Sequence, residues 1–146
     1  MATAHINIGS NLGDSRSILE RAVAEIASHW PGGALRRSSI VESLPWGFRS
    51  ERSFLNIGVE IQVDETPGQL LEQLLEIQNG ICADSHRDAS GRYVDRLVDI
   101  DLIYYDDVVI DTPRLQLPHP RMHLRPFVLG PVRELAPEWR HPLGLC

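Results

Sequence analysis

From Phe54 to Val63, apolar residues fall at every second position, with Leu55, Ile57, Val59, Ile61 and Val63 in register. That repeat lines one face of a β-strand and scatters around a helix. The other face of the same strand carries Phe54, Asn56, Gly58 and Glu60. Such a strand cannot stand alone, because its apolar side and its backbone N–H and C=O groups must both be covered. Thr3 to Ile8 offers a partner, with Ala4, Ile6 and Ile8 on one face and His5 and Asn7 on the other, the alternation of a half-buried strand. Leu35 to Ser43 and Leu97 to Tyr105 offer two more. Val108 to Ile110 is expected to fold back on the last as a hairpin across Asp106-Asp107, and Arg114 to Leu117 reads as a further short extended piece.

Between strands the period changes. Asp14 or Ser15 can cap a helix with Ile18, Leu19, Ala22, Val23, Ile26 and Trp30 on one stripe, stopped by Pro31-Gly32-Gly33. Thr66-Pro67-Gly68-Gln69 has capping-box spacing with proline at the first helical position, and Leu70, Leu71, Leu74, Leu75, Ile77 and Ile81 follow as its buried side. Phe127 to Trp139 suits a last helix interrupted by prolines, and the polar stretch Ala83 to Arg96 reads as a long mobile loop. The order β-α-β-β-α-β predicts an α+β, ferredoxin-like fold, a mainly antiparallel sheet with helices packed on one face and a C-terminal extension. With 146 residues, 42% of them hydrophobic, the chain can fill one core, so a single domain over 1–146 is expected.

Charge narrows the function. A net charge of -6 argues against general nucleic-acid binding, and the sheet lacks the paired aromatics of RNA-binding ferredoxin-like modules. All 14 basic residues are arginines, which excludes a Walker lysine and Schiff-base chemistry. Phosphates would have to be handled by arginine forks and metal ions. No run of about 18 apolar residues occurs and no leader pattern opens the chain, so a cytoplasmic protein without membrane contact is expected. Cys82 and Cys146 are too far apart in sequence to suggest a disulfide framework. A monomer is expected.

Three segments carry chemistry. Asp99 and Asp101 lie two apart on a strand, so both project from one face with roughly 6.5–7 Å between their Cα atoms. Such a pair can hold one or two Mg²⁺ ions, which complete their shells with water and substrate phosphate; the plain alternative is a solvated strand face. Arg87, Arg92 and Arg96 precede the pair on the polar loop, where they can close over a polyphosphate or simply be solvated. In Leu117-Pro118-His119-Pro120 the prolines hold His119 extended, as suits a fixed donor to a phosphate oxygen. His119 and His123 also have the i, i+4 spacing of a zinc pair, and a structural histidine is the third reading. Phe54 and Asn56, with Trp46 and Phe127, offer rings and an amide to a flat heterocycle; core packing is the alternative for Trp46 and Phe127.

Gly9-Ser10-Asn11-Leu12-Gly13-Asp14, Phe54-Leu55-Asn56, Asp99-Ile100-Asp101, and Leu117-Pro118-His119-Pro120 with Arg125 and Phe127 together resemble the motifs of the 6-hydroxymethyl-7,8-dihydropterin pyrophosphokinase family over nearly the whole chain. The resemblance implies transfer of pyrophosphate from MgATP to the hydroxymethyl group of 6-hydroxymethyl-7,8-dihydropterin, with release of AMP, in folate biosynthesis. It implies that Asp99 and Asp101 hold two Mg²⁺ ions. It implies further that Ser43, Leu44 and Trp46 contact the pterin through backbone groups, that Asn56 reads its edge, and that Phe54 and Phe127 sandwich it. On the ATP side it implies Arg114, Gln116, His119, Arg125 and Ile100, with Arg96, Arg92 and Arg87 as the catalytic arginines. Family members usually carry a glutamate, then Gly-Arg-x-Arg, then Arg-Trp-Gly-Pro-Arg before the acidic strand. Here those positions read Gln78, Ile81-Cys82-Ala83-Asp84 and Arg92-Tyr93-Val94-Asp95-Arg96. The alternative reading is therefore a paralogue that binds a pterin or nucleotide with weak or no transfer, or one acting on a different hydroxymethyl heterocycle.

Overall fold

The two long alternating segments pair with each other. In the computed structural model, which describes residues 1–11, 14–43, 54–83 and 97–146, β1 (Ala2–Ser10) runs antiparallel to the strand here called β4 (Phe54–Val63), Ala2 opposite Val63 and Ser10 opposite Leu55. β2 (Arg36–Arg37) and β3 (Val41–Ser43) pair with the far side of β4, and β5 (Asp99–Tyr105) lies antiparallel on the other side of β1. The resulting order, β2-β4-β1-β5 with β3 also on β4, is the ferredoxin-like one. Leu44, Trp46, Arg87, Arg92 and Arg96 lie outside the described residues, as does nearly all of the expected loop from Ala83 to Arg96.

Both sequence-predicted helix starts form as written. Asp14 caps α1 (Ser15–His29), its carboxylate accepting from the Ser17 N–H at 3.2 Å and the Ser17 hydroxyl at 2.8 Å. At α2 (Pro67–Ala83) the box closes in both directions: the Thr66 N–H donates to Gln69 Oε1 at 3.0 Å, and the Gln69 N–H to Thr66 Oγ1 at 3.2 Å. A cap of this kind stabilises a helix by about 1 kcal/mol. Leu19 and Ile26 of α1 and Leu70, Leu74 and Ile81 of α2 pack on Ile6, Ile8, Ile57, Val59 and Ile61 in one core.

The second face of the sheet departs from the expectation of helices on one side only. α3 (Pro126–Leu135) covers it, with Val128 and Val132 against Ile103, Tyr104 and Met122. His5 and Asn7 are consequently buried, where a half-buried strand would leave them in water; alternation identifies a strand and says nothing of whether its polar face is roofed. Gly58 lets the roof come down, since a Cβ there would sit 2.5 Å from Pro131 Cβ and 2.8 Å from the His5 ring.

Two further differences have local causes. The strand expected over Leu35 to Ser43 is broken at Ser38, whose hydroxyl takes the Gly58 N–H at 2.8 Å while its own N–H donates to the Gly58 carbonyl. Val108 to Ile110 does not return along β5. The chain turns at Asp106, with φ at 49°, and β6 (Ile110–Asp111) pairs with β7 (Gln116–Leu117) instead. β5 therefore stays at the border of the main sheet, which is where a cleft opens.

Candidate active site

Register brings the polar residues together. Residues directly opposite in an antiparallel ladder project from the same face. Asn7 stands opposite Asp101 on β5 and Gly58 on β4, and Gly9 stands opposite Asp99 and Asn56. Asp99, Asp101, Asn56 and Phe54 thus share the face on which α3 lies. The carboxylates sit two strand spacings from Asn56, about 10 Å. Both aspartates are half-buried, as is Phe127 near the start of α3, where the Arg125 guanidinium lies 5.8 Å from the Phe127 ring centroid.

Asn56 is only 3% exposed, so its amide must be accounted for. Its Nδ2 donates to Ser43 Oγ at 3.0 Å, and its Oδ1 accepts from Asn7 Nδ2 at 3.4 Å. An amide has two N–H groups and two lone pairs, so these bonds leave one of each for a ligand. Gly9 makes room for the arrangement: a Cβ at that position would lie 2.8 Å from Asn56 Oδ1.

Beside this face, along the outer edge of β5, runs a cavity of about 320 Å³ lined among others by Gln78, Ile100, Asp101, Arg114, Gln116 and His119. Leu71 and Leu75, expected on the buried side of α2, line it as well. The edge groups of β5 are engaged here, the Ile100 N–H donating to Gln78 Oε1 at 2.8 Å and the His119 N–H to the Ile103 carbonyl at 2.7 Å. Arg114 is exposed and ion-paired with Glu72, and Gln116 Nε2 donates to Asp111 Oδ1 at 3.2 Å. Asp101 belongs to both regions, lining the cavity and standing on the strand face with Asn56.

His119 is set up as a neutral donor. Its Nδ1 accepts from the Arg121 N–H at 3.2 Å, which assigns the ring proton to Nε2. Burial, and after it the charges of Arg125 and Arg121, push its pKa down to about 4, so the ring carries no charge near neutrality. The helical i, i+4 geometry that a zinc pair with His123 would need is absent from this segment. Met122–Leu124 is a 3-10 turn, and the His123 ring turns toward His141, centroids 6.5 Å apart. Among the described residues no group of three or more His, Cys, Asp and Glu gathers as a zinc centre would require. Two half-buried carboxylates on one strand, Asp101 opening to a cleft that Arg114 lines, fit Mg²⁺, which takes one or two carboxylates and keeps several waters.

Of the expected site residues, the structure brings Ser43, Phe54, Asn56, Asp99, Asp101 and Phe127 to one sheet face, and Ile100, Arg114, Gln116 and His119 to the adjoining cleft. Arg125 stands beside Phe127. Sequence reasoning gave no role to Asn7, whose only signal was a polar residue in a strand otherwise apolar enough to be central.

A ferredoxin-like sheet that presents paired carboxylates beside a cleft of arginine, glutamine and neutral histidine is the frame of a phosphate-transferring enzyme. The chain belongs to the family described as 7,8-dihydro-6-hydroxymethylpterin-pyrophosphokinase (HPPK), whose model matches residues 5–137. It is 37% identical to the 2-amino-4-hydroxy-6-hydroxymethyldihydropteridine pyrophosphokinase of Bacillus subtilis over 133 residues, covering 91% of this chain and 77% of that protein. It is 37% identical to the Porphyromonas gingivalis enzyme of the same description over 145 residues, covering 97% and 95%. The fold is similar to that of wild-type Plasmodium falciparum HPPK-DHPS, with a TM-score of 0.67 over 96% of this chain at 12% identity. This chain spans 38% of that one, and at such identity the likeness concerns the fold.

Proposed function

We propose that this chain transfers the pyrophosphoryl group of MgATP to the hydroxymethyl group of 6-hydroxymethyl-7,8-dihydropterin, releasing AMP, as a step of folate biosynthesis. The observation that carries the reading is the shared position of Asp101, at once on the strand face with Asn56 and in the wall of the cleft with Arg114, Gln116 and His119. A phosphate chain lying in the cleft ends beside a heterocycle held on the sheet face.

Asp99 and Asp101 would hold two Mg²⁺ ions, and bound there the metal neutralises polyphosphate charge. His119 donates from Nε2 to a nucleotide oxygen, a bond to a charged partner and so among the stronger ones. Arg114 and Arg125 offset phosphate charge, and Gln116 and the Ile100 backbone orient the nucleotide. Phe54 and Phe127 stack on the pterin while Asn56 reads its edge with its remaining N–H and lone pair. Ser43, Leu44 and Trp46 take backbone contacts, and Arg87, Arg92 and Arg96 stabilise the transferring group. In the transfer the hydroxymethyl oxygen bonds to the β-phosphorus, the bond from that phosphorus to the α,β-bridging oxygen breaks, and the hydroxyl proton leaves to solvent. Alignment and charge stabilisation suffice for such a reaction. One domain acting as a monomer in the cytoplasm completes the proposal, supported by the main sheet carrying both expected binding regions and by Cys82 and Cys146 forming no disulfide.

The test is release of AMP from ATP with the dihydropterin as acceptor. AMP formation that requires both substrates and Mg²⁺ is expected. Binding of both without AMP points to a paralogue that does not catalyse, and AMP formation only with another hydroxymethyl heterocycle would replace the acceptor.

A further inference from the structure

Asn7 joins the two halves of the site, and the reaction as proposed makes no use of it. It lies at the middle of the central strand, directly opposite Asp101, and is 4% exposed. Its Nδ2 donates to Asn56 Oδ1 at 3.4 Å, and its own Oδ1 is buried without a hydrogen-bond partner among the described residues. A buried acceptor left unsatisfied destabilises a fold. An apolar side chain at this roofed position would avoid that cost, so a polar one here points to a role outside stability.

The neighbouring contacts indicate the role. Ser43 holds the other end of Asn56 at 3.0 Å, and one hydrogen bond alone leaves an amide free to swing about it. We propose that Asn7 is a positioning residue for pterin recognition, the second contact that fixes the plane of the Asn56 amide between β1 and β3. The free N–H and lone pair of Asn56 then meet the heterocycle at one fixed angle. This inference rests on Asn56 being the amide that reads the pterin.

Equilibrium titrations of wild type, Asn7→Ala, Asn56→Ala and the double variant with the dihydropterin, and separately with a nonhydrolysable ATP analogue, test it. Asn7→Ala is expected to weaken pterin binding roughly five- to tenfold, the worth of one net hydrogen bond, and to leave the ATP analogue within about twofold. In the Asn56→Ala background the same change should cost less than about twofold, because its effect passes through Asn56. Equal pterin losses in both backgrounds, parallel losses of both ligands, or no loss at all would overturn the inference. Asn7→Ser carries the same cycle should the alanine variant not fold. Wild type that binds the ATP analogue but no pterin removes the pterin site and this inference with it, whereas tight wild-type binding with an additive cycle removes the role of Asn7 alone.

Discussion

The sheet face beneath α3 is finished in opposite ways at its two ends. At one end polar groups are sealed: His5 stacks on Tyr104 with centroids 5.5 Å apart, Tyr104 stacks on Trp139 at 4.2 Å, and neither nitrogen of the His5 ring has a hydrogen-bond partner among the described residues. A few residues along the same strands, Asn56 keeps unused hydrogen-bonding capacity and Asp101 opens to the cleft. Both ends draw on the same alternating positions. What separates them is the cover supplied by α3 and the segment after it, and the contrast shows that a polar residue in a strand acquires its meaning from its roof. Sealed without partners, as at His5, it costs stability; paired and left with spare capacity, as at Asn56, the same kind of residue is available for chemistry.

Substitutions at the two ends should therefore separate catalysis from stability. The largest effect belongs to Asp101→Ala, for which a fall in kcat of about 10³-fold or more is expected, with a thermal melt close to wild type. Retained turnover in that variant would break the contrast from the open end. Gly58→Val strikes the sealed end, where even a Cβ meets Pro131 and His5. Overpacking of this kind should cost about 3 kcal/mol in a urea melt, with AMP release per folded molecule unchanged.

The smallest expected effect is a change in acid sensitivity. Burial pushes the His5 pKa down to about 3 from 6.5, so the unfolded chain binds a proton that the folded chain refuses. Stability is complete above pH 6.5 and declines as pH falls from there toward 3. His5→Phe keeps the stack and removes the titrating nitrogens. On the order of 1–2 kcal/mol of the wild-type loss between about pH 7 and about pH 4.5 should disappear, read from urea midpoints. An undiminished loss would place the acid sensitivity elsewhere, with His119 the next group to replace.

Elements governed by local periodicity were legible in the sequence. Phe54–Val63 forms with the bounds its alternation predicts, and the Thr66-Pro67-Gly68-Gln69 box starts α2. The common face of Asp99 and Asp101 follows from period two alone. What pattern could not supply was anything set by a distant partner. Pattern alone points Val108 to Ile110 back along β5, and the left-handed turn at Asp106 sends the chain away from it. The burial of His5 depends on a proline-containing helix more than 100 residues later, and nothing near His5 records it. Leu71 and Leu75 share a stripe with core leucines yet line the cleft, since a helical stripe is wider than the surface that covers it. The juxtaposition of Asp101 with Arg114, Gln116 and His119 likewise needed the fold.

The engaged border of β5 has a consequence for the protein in solution. A strand that ends a sheet offers a row of bare peptide groups, an invitation for a second molecule to dock by extending the ladder. Here the amide side chain of Gln78 occupies the Ile100 N–H, and the peptide of His119 occupies the Ile103 carbonyl. The walls of the cleft thereby act as a chaperone built into the fold, and variants that loosen Gln78 or the His119 segment would be expected to self-associate.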